Sequence, residues 1–224
     1  MNLLPTKTQS VQMKGGFTLV ETLVAILILV VALGALFTLA SGALYSVRAS
    51  RNQTTATYLA QESMDYVRNM RDNASLQAVT WQDFLDSFNV DSAGNIIPSG
   101  GSYTAGCFSS GGCSIDTLQS LFRSTSSGAI RQCGASAIGA TCDFFLLYTP
   151  PKGGAGVEVY GYPSAGYPLV GYTTVPSGFK RTVFMRISPS NPDELLMSVR
   201  IEWFNSVNSK SVETLTVEQS ILNL

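Results

Sequence analysis

One stretch constrains this chain more than any other. Residues 22–47 contain no charged side chain, and residues 17–47 contain a single one, Glu21, and no proline. About 20 apolar residues at 1.5 Å of rise each span a bilayer, so this run is long enough to cross one as a helix. Hydrocarbon cannot satisfy backbone N–H and C=O groups, which makes helix the assignment for an isolated run of this kind. Gly34 and Gly42 are tolerated there and permit close helix packing or local bending. An ordinary secretory signal has an apolar core of about 7–15 residues followed by a small-residue cleavage site. The run here is longer and carries its glutamate at the front. A plain signal anchor fits better, but Lys7 and Lys14 on one side and Arg48 and Arg51 on the other leave its orientation open by charge.

The rest of the 224 residues is polar and rich in Ser, Thr and Gly, and the formal net charge is −1. That balance gives no basic footprint for nucleic acid. The chain has no histidine. Ser-His-Asp and Cys-His catalysis, HExxH zinc sites and imidazole acid–base chemistry are therefore closed to it. No catalytic constellation, metal site or cofactor is expected. Four cysteines, Cys107, Cys113, Cys133 and Cys142, fall in one Gly/Ser-rich region without a CxxC pair. Four cysteines allow three pairings. The local ones, Cys107–Cys113 and Cys133–Cys142, are favoured because the FSSGG between the first two can close a tight loop. Four free thiols in a reducing compartment is the alternative. Paired cysteines would place this region outside the cytoplasm, and with it the larger C-terminal part.

The segment KGGFTLVETLVAILILVVALGALF resembles the class III signal of type IV prepilins and related pseudopilins. That signal has a short hydrophilic leader with basic residues, a Gly, then Phe, with Glu at the fifth mature position. Here these are Lys14, Gly16, Phe17 and Glu21. The resemblance implies cleavage between Gly16 and Phe17 by a membrane-embedded prepilin peptidase, which then methylates the new amino group of Phe17. It also implies that the apolar helix is kept, and that Glu21 neutralises the amino terminus of a neighbouring subunit as helices bundle. Two unpaired charges in an apolar bundle are each costly and pairing removes most of that cost, so such a pair sets axial register. A glutamate simply seated at the interfacial edge of the membrane is the plainer reading of Glu21.

Nothing stops the helix at the membrane surface, because no proline occurs between Pro5 and Pro98. Leu59, Ser63, Tyr66, Val67 and Met70 recur at helical spacing among charged residues, which predicts one helix from Phe17 to about Asp72 with an amphipathic outer half. The segment YLAQESMDYVRNMRDN within it is similar to a stretch of minor pilins of the PilV-like type. A short helix is expected between Ala74 and Phe88, around Trp81, Phe84, Leu85 and Phe88. Asn89, Asp91 and Asn95 have a loose likeness to a calcium loop, but Gly100 stands where its last acidic ligand belongs, so a turn at Ser92–Asn95 is the better reading. CDFFLLYT reads as a buried strand. Tyr160, Tyr162, Tyr167 and Tyr172, among Gly and Pro, suit either a binding surface or an irregular β region packed on itself.

KRTVFMRIS, ELLMSVRIEWFN and SVETLTVEQSIL alternate as strands do, with Met197, Val199, Ile201 and Trp203 on one face. Three antiparallel strands would cover the amphipathic half-helix. The expected fold is α+β: a long N-terminal helix packed on a C-terminal antiparallel sheet, as the family resemblance also implies. The expected organisation is a leader (1–16), an apolar membrane and assembly helix (17–47), its amphipathic continuation (48–72) and an exported head (73–224). The function implied is that of a minor pilin, held in the cytoplasmic membrane before assembly and then displayed on the cell surface. Its partners would be the prepilin peptidase, other pilin subunits and, for the head, a surface ligand. A pseudopilin of a secretion or DNA-uptake machine carries the same signal, and a tethered adhesin that never polymerises is the reading from a different class.

Overall fold

A computed structural model describes residues 16, 18–117, 129–134, 142, 144–149, 159–162, 172–204 and 212–223. The chain divides into two compact units, Met1–Val47 and Arg48–Leu224. Helix α1 (Leu19–Leu76) begins in the first and ends in the second. It is followed by α2 (Trp81–Asp86), a 3-10 turn (Gly106–Phe108) and seven strands. These are β1 (Cys113–Ile115), β2 (Ile130–Gln132), β3 (Phe144–Thr149), β4 (Val159–Gly161), β5 (Thr173–Ile187), β6 (Glu194–Phe204) and β7 (Val212–Leu222).

The helix runs four residues beyond the Asp72 expected from the sequence. Its stop is a left-handed residue, Ala78 (φ 54°), with Val79 N–H donating to the Ala74 carbonyl and Ala78 N–H to that of Ser75. That is a Schellman end built on alanine where glycine is the usual occupant. Because no Gly or Pro marks the spot, the sequence gives little warning of it. The short helix starts correspondingly later, at Trp81, with the Thr80 side chain accepting from the Asp83 N–H. Phe84, Leu85 and Phe88 are buried as expected.

All seven strands pair antiparallel in one sheet. β5 is the central strand: β6 lies along one edge, and β1 and β3 share the other. β2 extends beyond β1, β4 beyond β3, and β7 beyond β6. The three strands expected near the C-terminus thus form one side of a larger sheet, with β5 at its centre and β7 outermost. β5 begins at Thr173, well before the expected Lys180, because the Pro176 and Gly178 that read as a loop sit inside it. Proline is tolerated in a sheet at edges and irregularities. Leu146 of β3 lies opposite Pro176 whereas Phe144 lies opposite Lys180, so the ladder shifts across this segment, and Gly178 (φ 79°) supplies a backbone angle that other residues rarely adopt.

The core lies between α1 and one face of this sheet. Ala56, Leu59, Ala60, Met64 and Val67 of the helix join Val183 and Met185 of β5, Ile221 of β7 and the alternating Leu195, Met197, Val199, Ile201 and Trp203 of β6. The period-2 burial along β6 is unbroken from Leu195 to Trp203, which is what a strand with one covered face requires.

Candidate assembly site

The amino-terminal segment is built to start a helix. Thr18 precedes the first helical residue, and its hydroxyl accepts from the Glu21 N–H at 3.3 Å. Thr18 and Glu21 stand three apart, the spacing of a capping box, and a carboxylate in the first turn also suits the positive end of the helix dipole. The pattern T-x-x-E thus marks a helix start as well as forming part of the prepilin-like signal. Gly16 is exposed, with open space where a side chain would project. Phe17 lies outside the described residues.

From Thr18 through Arg48 every described side chain is exposed, including Leu23, Ile26, Leu27, Leu29, Leu36 and Phe37. Contiguous apolar patches beyond a few hundred Å² mark interaction or membrane surfaces. This is the one helix, among the described residues, long and apolar enough to cross a membrane. Three of its hydroxyls are satisfied internally: Thr22 donates to the Leu19 carbonyl, Thr38 to that of Ala35, and Ser41 to those of Phe37 and Thr38. These three need no water, which lipid or neighbouring helices could not provide.

The second unit contains two disulfides, Cys107–Cys113 and Cys133–Cys142, the local pairing. They tie down the region between α2 and β3. Gly106 and Gly112 flank the first bridge with positive φ (58° and 70°). A Cβ on Gly112 would stand 2.7 Å from both the Val183 carbonyl oxygen and Thr182 Cγ2, and one on Gly106 would collide with the Phe88 carbonyl. The second bridge is joined to the first through Cys133 N–H, which donates to the Gly112 carbonyl at 3.0 Å. Asn89, itself buried, braces the same region: its amide donates to the Ile97 carbonyl and accepts from the Ala105 N–H. The Asp91 carboxylate closes a turn, accepting from the N–H groups of Ala93 and Asn95 and from the Asn95 side chain. Those bonds, that from the Asn95 side chain foremost, hold its carboxyl below the usual range. Ser92–Asn95 is thus the turn expected, with Gly94 at φ 84°.

A feature that no sequence motif announced fastens the helix to the sheet. Arg181, on the covered face of β5, is fully buried. Its guanidinium donates to the Leu59 carbonyl at 2.8 Å and to Glu62 at 3.0 Å, both on α1, and to the Ile115 carbonyl at the end of β1. Thr117 donates to the other Glu62 oxygen. Behind it the Tyr162 hydroxyl donates to the Arg181 carbonyl, and Tyr148 donates to the carbonyl of Tyr162. Burial pushes the Tyr162 phenol up to about 12. The strand alternation of KRTVFMRIS places Arg181 inside, and that mismatch with an apolar face was the available signal. Of the Tyr-rich stretch, Tyr160 and Tyr162 thus belong to the packed head, Tyr160 meeting Phe179 edge to face, and Tyr167 lies outside the described residues.

Residues 12–37 match the model of the prokaryotic N-terminal methylation motif. No curated protein and no solved structure compared with the chain matches it. The motif spans Gly16 and Glu21 and the first half of the exposed apolar run. It supports a type IV pilin-like or pseudopilin protein, a structural rather than enzymatic class, whose members are processed by prepilin peptidase and assemble with other pilins.

Proposed function

We propose that this chain is a minor subunit of a type IV pilus, anchored in the cytoplasmic membrane by residues 17–47 until it is drawn into a filament through that same helix. The observation that carries the reading is the methylation motif at the head of a helix that is uncharged from Thr22 to Val47, exposed along that length, and continuous with a disulfide-bearing head. Peptidase cleavage between Gly16 and Phe17 and methylation of Phe17 would leave an ammonium group one helical turn from Glu21. In an apolar bundle that charge needs a carboxylate, and Glu21 of a neighbouring subunit is the group placed to provide it. Cys107, Cys113, Cys133 and Cys142, paired as disulfides, suit a head displayed outside the cytoplasm. A pseudopilin role shares the same anchor.

Replacing Glu21 by Gln tests assembly directly. The variant should be processed and held in the membrane as before yet recovered poorly in sheared surface filaments. Filament incorporation equal to that of the parent would remove Glu21 from the assembly mechanism. Assignment to pilus or secretion pseudopilus follows from which machine's deletion abolishes surface recovery.

A further inference from the structure

Open sheet edges invite pairing with other chains, and proteins blunt them with brevity, proline, lysine or bulges. Two outer strands here are blunted by brevity, β2 and β4 having three residues each. β7 is the exception, with 11 residues paired on one side only, to β6, among the described residues. Its sequence VETLTVEQSIL holds no Pro, Gly, Lys or Arg. Its ladder with β6 keeps a single register from Glu194–Leu222 to Phe204–Val212, without a bulge. Even-numbered residues of β7 face away from the core, and at its two ends stand Val212 (49% exposed) and Leu222 (51% exposed). Phe204, 44% exposed, lies directly across from Val212.

We propose that β7 is an association edge that pairs antiparallel with β7 of a second copy of this chain, about a two-fold axis at Val217. This register pairs every residue of the strand, and the side chains suit it. Val212 meets Leu222 of the second copy at each end, extending the exposed Phe204–Val212 row into three apolar side chains. Thr214 meets Ser220, Leu215 meets Gln219, and Val217 meets itself. No carboxylate faces another: Glu213 lies opposite Ile221 and Glu218 opposite Thr216. Arg200 pairs with Thr216 on its own sheet, so Arg200, Thr216 and Glu218 of the second copy form one row, with the cation and carboxylate separated only by a short threonine. The two Glu218 side chains are diagonal neighbours, each in a row with the other copy's Arg200. An isologous contact of this kind closes on itself and leaves the remaining surface free for other subunits.

The test uses two full-length variants, Val212→Cys and Leu222→Cys, carrying different tags and co-expressed in the membrane. Directly opposed residues in an antiparallel pair have Cα atoms about 4.5–5.5 Å apart, inside the span a disulfide bridges. Mild oxidation should give a mixed dimer containing both tags. Neither variant alone should give a dimer, because like positions would be about 33 Å apart. Thr214→Cys with Ser220→Cys should behave the same way. Protease resistance of the head shows that the variants are folded. Dimers from Val212→Cys alone, which would mean parallel pairing, overturn the proposal, as do cross-links only to other polypeptides or none from either pair. None of these outcomes depends on filament formation, so failure here leaves the pilin reading standing, and failure of that reading leaves this edge to be judged by its own cross-links.

Discussion

The two halves of α1 share a backbone and differ in almost everything else. Residues 19–47 are uncharged after Glu21 and exposed all round, with no face set apart. Residues 48–76 alternate charged and apolar side chains so that Ala56, Leu59, Ala60, Ser63, Met64 and Val67 turn inward onto a sheet while Arg51, Asp65 and Arg68 do not. Helical periodicity is the mark of a partner on one side only. Its absence in the first half, together with the absence of charge, is the mark of an apolar surrounding on every side, whether lipid or other helices.

The largest effect that separates the two halves is expected at Arg181. Arg181→Ala removes the cation that joins Glu62 and the Leu59 carbonyl to the sheet, leaving buried acceptors without their donor. The Leu59 and Ile115 carbonyls lose a buried donor at about 1–3 kcal/mol each, whereas Glu62, 40% exposed, can turn to water. Denaturant unfolding should show that loss in the head, while membrane insertion of the first half stays unchanged. Leu29→Arg makes the converse break. A charge at mid-bilayer costs about 2.5–3.5 kcal/mol on insertion scales, so the membrane-bound fraction should fall while the melting of the head does not move.

Alkaline pH acts on the head against which the second half packs. Tyr162 is neutral and buried when folded, with its phenol raised from 10 to about 12. The raised value means the folded state holds its proton more tightly, so this contribution is fully present below pH 10 and is lost as pH climbs from 10 to 12. The loss amounts to about 3 kcal/mol over that window. Unfolding free energy measured across it should decline steeply, and Tyr162→Phe should flatten the slope. The smallest effect belongs to the end of the helix. Ala78→Gly relieves a left-handed alanine and should raise stability by up to about 1 kcal/mol, seen as a small upward shift in Tm.

What could be read from the sequence follows the same division. The apolar run, the amphipathic stripe and the alternation of β6 were legible because each repeats a single physical demand over many residues. The cysteine pairing was favoured but not fixed: the short flexible FSSGG spacer suits Cys107 with Cys113, yet four cysteines leave three connectivities open. Where one residue decides, the reading stopped. Ala78 ends the helix without a glycine to signal it, and Pro176 and Gly178 disguised the first part of β5 as loop. Arg181 has no motif, since its role depends on meeting Leu59 and Glu62 from 119 or more residues away in the chain. The short strands β1, β2 and β4 carry three residues each, too few for any period to show.

If the first half of α1 is a processed assembly helix, the mature N-terminus records the processing. Mass spectrometry of the chain from native membranes or sheared surface material should find N-methylated Phe17 as its first residue. A chain that retains residues 1–16, or one cut after the apolar run, would contradict it.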